Sequence, residues 1–235
     1  MRRNSLQLLA LSLLCCTALG QEAKKHTCRI LFLERPSSAP QTLHLFDGTS
    51  SREVELPGLN LSQVYELPPG KLSISLLPVP IANPEDLPPG APTTAIPEGV
   101  ADFYLLVTSD PSNNVAPVRM QVIEAGKGSL RRGQMLWINL TDHLVGGQLG
   151  SEKLLIKPQS RTTLNPPAKG ATDFPVSLAY RIRGDERMYP ICETRWLHDP
   201  RSRSLAFIFN QREGRAPRIL VFPDFRQEEK NDPAD

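Results

Sequence analysis

From residue 28 onward, apolar side chains recur at every second position far more often than at every third or fourth, the mark of strands with one buried face. Lys71 to Leu76 is the cleanest run. Leu72, Ile74 and Leu76 share one face there and Lys71, Ser73 and Ser75 the other, because successive strand side chains point to opposite sides of a sheet. The same alternation runs through Leu136, Ile138 and Leu140, through Val176, Leu178, Tyr180 and Ile182, and through Leu205, Phe207 and Phe209. No window of comparable length carries the period of an amphipathic helix. The 23 prolines and 15 glycines fall at short intervals, which forbids long helices and suits many short strands in a sandwich or barrel. The pattern predicts an all-β protein.

Self-similarity predicts how those strands are organised. A shift of 177 positions lays Leu205 to Asp224 on Cys28 to Asp47, pairing Phe209 with Phe32, Arg212 with Arg35, Ala216 with Ala39, Pro217 with Pro40, Leu220 with Leu43 and Asp224 with Asp47. Both stretches read as strand, polar turn, Ala-Pro, strand. A shift of 93 places Leu136 on Leu43 and Leu149 on Leu56, and Pro190 to Trp196 echoes Pro117 to Ile123. Two tandem β-sandwich units of roughly ninety residues follow, related by internal duplication, over 27–125 and 130–225, with a boundary near Ala125 to Arg132. Within the first unit lies a Pro-rich stretch, 77–101, which reads as a long surface loop across a sheet edge. The tail, 226–235, has almost no apolar content and reads as disordered.

Ala39 and Pro40, the strand Leu43 to Asp47 with Gly48, and Tyr65, Leu67, Pro68, Pro69 and Gly70 followed by Leu72 and Ile74 form a recognisable order. It resembles secreted bacterial sandwich modules of unknown function, in which Ala-Pro, a strand ending in Asp-Gly, and Tyr-x-x-Leu-Pro-x-Gly follow one another. The resemblance covers about fifty residues and rests partly on ordinary turn chemistry. The second unit departs from it, with Thr141 and Asp142 where Asp-Gly is expected. It implies an immunoglobulin-like fold in an exported protein, and no activity.

The first twenty residues change the compartment. Arg2 and Arg3, an apolar run from Leu6 to Leu14, and Ala18 and Gly20 before Gln21 make a secretory signal with cleavage expected after Gly20, and hence a secreted or periplasmic protein. A lipid on Cys15 or Cys16 is the alternative, an envelope anchor. The apolar run is too short to span a bilayer, and no later stretch is long enough, so no transmembrane segment is expected. Loss of Arg2 and Arg3 leaves 25 basic residues, 27 minus 2, against 25 acidic ones. A chain of zero net charge without a basic aromatic-studded stripe is a poor nucleic-acid partner. The processed chain keeps Cys28 and Cys192, and a lone pair in an oxidising compartment reads as a disulfide stapling the two units; two buried thiols are the other reading.

The chemistry is sparse. Four histidines, His26, His44, His143 and His198, fall in no metal-ligand spacing, so no cofactor or metal is expected. Asp142-His143 and His198-Asp199 are neighbours whose side chains diverge on a strand, which is not how a carboxylate orients a catalytic imidazole. Nucleophile motifs are missing, and Gly126 to Ser129 lacks the spacing and following helix of a phosphate loop. Arg183-Gly184-Asp185 is the cell-adhesion tripeptide, but Gly-Asp is also what a hairpin tip requires. Trp137 shares a strand face with Asn139 and Thr141, which would place it outward, where an aromatic can stack on a sugar or a protein partner; burial beneath the contact between units is the more ordinary explanation. Trp196, on the face of Cys192, reads as core. The sequence therefore points to an exported structural or binding module without catalysis, its partner a protein or glycan, with Trp137, Asn139 and Arg183 to Asp185 as the candidate surface. A carbohydrate-binding module and a hydrolase on a sandwich scaffold are the alternatives.

Overall fold

The structure, a computed structural model, describes residues 25–97, 99–126, 130–211 and 216–225. The expected signal, the tail from 226, Arg212, and Lys127 to Ser129 lie outside the described residues. Sixteen strands and one turn of 3-10 helix, Pro84–Asp86, make up the regular structure among those residues. The first eight strands are β1 (His26–Phe32), β2 (Thr42–Phe46), β3 (Ser51–Glu55), β4 (Tyr65–Leu67), β5 (Leu72–Leu77), β6 (Thr93–Ile96), β7 (Asp102–Ser109) and β8 (Val118–Glu124). The second eight are β9 (Met135–Asn139), β10 (Leu144–Leu149), β11 (Glu152–Ile156), β12 (Ser160–Leu164), β13 (Thr172–Arg181), β14 (Tyr189–His198), β15 (Arg203–Phe209) and β16 (Arg218–Asp224). The all-β expectation holds.

These strands form four four-stranded sheets: β3-β2-β5-β6, β4-β1-β7-β8, β12-β9-β15-β16 and β11-β10-β13-β14. Adding eight to each strand number converts the first pair of sheets into the second. Every neighbouring pair is antiparallel except β1 with β7 and β9 with β15. Lettered in chain order, each half pairs D-A-G-H with C-B-E-F. The sheets of an immunoglobulin domain are A-B-E-D and C-F-G. An offset of 177 lays β15 on β1, whereas in strand order β15 occupies the place of β7 and β9 that of β1. Alternating strands resemble one another whichever neighbour they pair with, and identities alone mistake one for another.

Side-chain alternation sorts the apolar residues into three cores. Cys28, Ile30 and Phe32 of β1 and Phe103, Leu105 and Val107 of β7 face the β2–β5 sheet and fill the first sandwich. The intervening Leu31, Leu33, Tyr104 and Leu106 face the other way, onto Leu136, Ile138, Leu205, Phe207 and Phe209. Met135, Trp137, Ala206 and Ile208 fill the second sandwich with Val145, Leu149, Phe174 and Val176. The sheets thus stack four deep, and the two inner ones are buried on both faces. This explains the unbroken apolar run Phe103 to Val107: strands paired in parallel and covered on both sides carry no polar face. Leu136 and Ile138 are accordingly in the core between the units, and Trp137 is in the core of the second.

Polar groups cross that middle core. Asp224, with no side-chain exposure, accepts from Arg29, from the Tyr104 hydroxyl at 2.6 Å and from Arg203 Nε at 3.1 Å. Arg203 also reaches Asp102 at 2.6 Å and lies over the Tyr104 ring, 5.4 Å from its centroid. Asp102 and Arg203 are the first residues of β7 and β15, equivalent strands in the two halves. A charge beside its counter-charge in a low-dielectric setting is held only where hydrogen bonds are satisfied. At the far end of β1, buried His26 places Nδ1 2.6 Å from the Val100 carbonyl and Nε2 2.7 Å from that of Gly70. Both ring nitrogens thus meet a backbone carbonyl, which pins the start of β1 to the segments before β5 and β7.

The Pro-rich stretch is not a bare loop. It contains the Pro84–Asp86 turn and β6, whose Thr93 to Ile96 pair with Leu72 to Ser75 of β5. Ser75, expected to face water, is covered by this strand and shares a 2.8 Å hydrogen bond with Thr93. Prolines kept to the flanks leave a four-residue strand free to add at a sheet edge. Ile182, read as the end of an inward face, is 40% exposed beyond the last residue of β13.

Candidate functional site

With the same strand order in both halves, the units differ at one edge. In the first, short β6 packs against β8 and closes the sandwich. In the second, the equivalent strand β14 runs for ten residues, and between it and β16 the sandwich stays open. Two clefts of about 610 and 450 Å³ lie there end to end, both lined by Trp196 and Ile219. The larger continues over Leu197, Val221 and Phe225 and ends at Gly133, His198 and Ser202; the smaller continues over Ile191, Cys192 and Thr194 to Arg218. Together they form one groove along the open side.

Its floor is aromatic. Trp196 stacks on buried Trp137, with centroids 5.9 Å apart and planes 10° from parallel, and meets the Phe174 edge at 6.3 Å. The half-covered ring of Trp196 stays in place because a fully buried indole supports it. Among the described residues Trp137 Nε1 finds no hydrogen-bond partner, nor does His198 Nε2, buried at the end of the groove. Leu197 and Phe225, 71% and 56% exposed, carry the apolar surface outward.

His198, Asp199 and Ser202 meet in the groove without forming a catalytic relay. The Asp199 carboxylate is held by the backbone, Nε and Nη2 of Arg201 at 2.9, 3.0 and 2.7 Å, which lowers its pKa to about 2. Ser202 Oγ donates to the Asp199 carbonyl at 3.1 Å, not to the imidazole. Burial depresses the His198 pKa against the pull of Asp199, favouring the neutral ring. Burial also raises the Cys192 pKa, so its thiol is protonated at neutral pH rather than poised as a nucleophile. Among the described residues no three His, Cys, Asp or Glu side chains converge as a metal site, and no helix is long and apolar enough to cross a membrane.

The residues expected to form a surface do not come together. Trp137 is fully buried, and Asn139 is 1% exposed with its amide spent on the carbonyls of His143 and Lys157 and its Oδ1 on Thr141. Asn139 is therefore a satisfied polar plug, as buried amides generally are. Arg183, Gly184 and Asp185 do sit at the tip between β13 and β14, where Gly184 adopts φ +86°. The carboxylate of Asp185 is turned back, accepting from the Arg187 N–H at 2.9 Å and the Tyr189 hydroxyl at 2.7 Å, and both bonds lower its pKa.

The expected bridge between Cys28 and Cys192 is not formed. Cys28 faces the first core and Cys192 packs against the third, with two sheets between them. At about 10 Å per layer the separation is on the order of 20 Å, against a limit of roughly 7 Å for a disulfide. The middle apolar core and the charged cluster at Asp224 that crosses it, not a covalent staple, join the units. Sequence reasoning missed the groove. Its one signal was the break in alternation at Glu193, Thr194 and Arg195, three consecutive polar residues inside a strand, all exposed. Comparison with models of known protein families found no match, and neither did comparison with curated proteins.

Proposed function

We propose that this is an exported binding module whose contact surface is the open side of the second sandwich, between β14 and β16. One observation carries the reading: two halves with the same strand order differ in that one is closed at this edge and the other presents an apolar groove floored by Trp196 and flanked by exposed Leu197 and Phe225. An apolar groove rimmed by Arg195 and Arg218 is a surface built for a partner, since it is expensive to leave wet without one. The matching strand orders favour an internal duplication, after which one copy kept a sealed edge and the other specialised. Export rests on the signal at residues 1 to 20. Neither alternative finds comparable support: a glycan platform calls for a row of exposed aromatics, and a hydrolase for converging acid and base.

The test uses the chain beginning at Gln21 and the apolar dye anilinonaphthalene sulfonate. Dye fluorescence should rise on addition of the protein, fall when Val221→Glu places a charge in the groove, and persist when Leu59→Glu alters an exposed leucine of the first unit. Dye binding indifferent to Val221→Glu would show that the groove is not a receptive surface. Mass analysis of the exported chain beginning anywhere other than Gln21, or found only inside the cell, would overturn export as proposed.

A further inference from the structure

Among the described residues β14 is an edge strand with no neighbour on its outer side in the sheet β11-β10-β13-β14. The Gly150 N–H donates to the Pro175 carbonyl at 2.8 Å, which turns the Pro175 backbone toward β10. Backbone groups alternate along a strand, so Phe174, Val176 and Leu178 serve β14. Their partners Trp196, Thr194 and Cys192 point back toward them. The outward N–H and C=O groups are then those of Glu193, Arg195 and Leu197. Such an edge is a template for another strand unless it is blocked. The blocks here stand at one end only, Pro190 and a register shift that leaves Ile191 as a bulge, so Cys192 to Leu197 stay open.

The sequence from Cys192 to Trp196 is self-complementary. Consider a second copy paired antiparallel about a two-fold axis through Thr194. Thr194 then meets itself, Glu193 faces Arg195 of the other copy and Arg195 its Glu193, and Cys192 faces Trp196. Opposite charges and apolar pairs directly across from one another are the favourable combinations in antiparallel sheets. Moving the axis to residue 193 or 195 sets like charges against each other. An axis between residues would oppose an outward backbone group to an inward one. The register is therefore selected as well as permitted.

We propose that two copies of this protein pair through β14, Thr194 on the two-fold axis, continuing one four-stranded sheet into an eight-stranded one. The proposal rests on the reading of this side as the contact surface, and names the partner as a second copy. It accounts for three exposed polar residues in the middle of a strand. The groove behind β14, with Ile219, Val221 and Phe225 on its far wall, is not itself filled by the pairing.

Sedimentation of the chain beginning at Gln21 should give a dimer. Glu193→Arg and Arg195→Glu, each replacing two opposite-charge pairs by two like-charge pairs, should weaken it about tenfold or more, and the double swap should recover most of the loss. On a Cys192→Ser background, Thr194→Cys should cross-link into a covalent dimer under mild oxidation, because non-hydrogen-bonded antiparallel partners bring Cα atoms within about 4.5 Å; Glu193→Arg should suppress the cross-link. A chain that sediments as a monomer, or a dimer indifferent to both single reversals, overturns the pairing. Dye binding sensitive to Val221→Glu in a monomeric chain would retain the groove while rejecting the dimer, so the two proposals fail separately.

Discussion

Truncating Asp224 to alanine tests whether the two units are joined electrostatically. Its carboxylate has no exposure and accepts from Arg29, Tyr104 and Arg203, two of which belong to the first unit. Removing one member of a buried pair costs about 3 to 5 kcal/mol, because the partners stay desolvated. Both arginines keep other acceptors: Arg29 the Ser62 carbonyl at 2.6 Å, Arg203 the Asp102 carboxylate at 2.6 Å. They are also slightly exposed, at 17% and 11%. The low end, about 3 kcal/mol, is therefore expected for Asp224→Ala, a fall in Tm of roughly 6 to 12 °C for a chain of this size. Glu66→Ala, which breaks a pair with Lys25 exposed by about two thirds on each side, should cost less than about 1 kcal/mol. Urea and thermal unfolding measure both. The two tryptophans, Trp137 and Trp196, lie in the second unit, so their fluorescence follows that unit alone while far-UV circular dichroism follows both. In the parent chain the two signals should coincide, and in Asp224→Ala they should separate. An Asp224→Ala chain no less stable than Glu66→Ala, with coincident signals, would refute the claim that this cluster couples the units.

Two further outcomes follow from single residues. Trp137→Ala should cost about 3 to 5 kcal/mol, whereas Trp137→Phe should cost less than about 1.5 kcal/mol, since its indole N–H has no partner to lose; denaturant midpoints distinguish them, and equal costs would contradict the packing described. Asp47 is subject to burial, which raises its pKa, but hydrogen bonds from Thr49 and Ser50 outweigh it and hold the carboxyl below its ordinary value. A depressed folded pKa adds stability above the unfolded pKa of about 4 and loses it as the pH falls through the folded value. Asp47→Asn should thus be less stable than the parent at neutral pH, with the gap shrinking below about pH 4; a gap that widens with acid would reverse the assignment.

The sequence by itself determined the class and the local elements. Period two forces side chains onto alternate faces, so Leu72, Ile74 and Leu76 were legible as one buried row before any neighbour was known. Tertiary structure decided which strand pairs with which, and therefore what lies behind each face. Trp137 and Leu136 alternate as a buried and an outward residue should, yet sheets on both sides bury both. Cys28 and Cys192 form a natural pair on paper, and two intervening layers separate them. Arg29, Asp102, Arg203 and Asp224 carry no motif, being scattered over the chain, and meet only because β1, β7, β15 and β16 stack across the middle core. The open groove was least legible of all. It depends on two edge strands of different sheets failing to meet, and a distance between strands leaves no periodicity in the residues that border it.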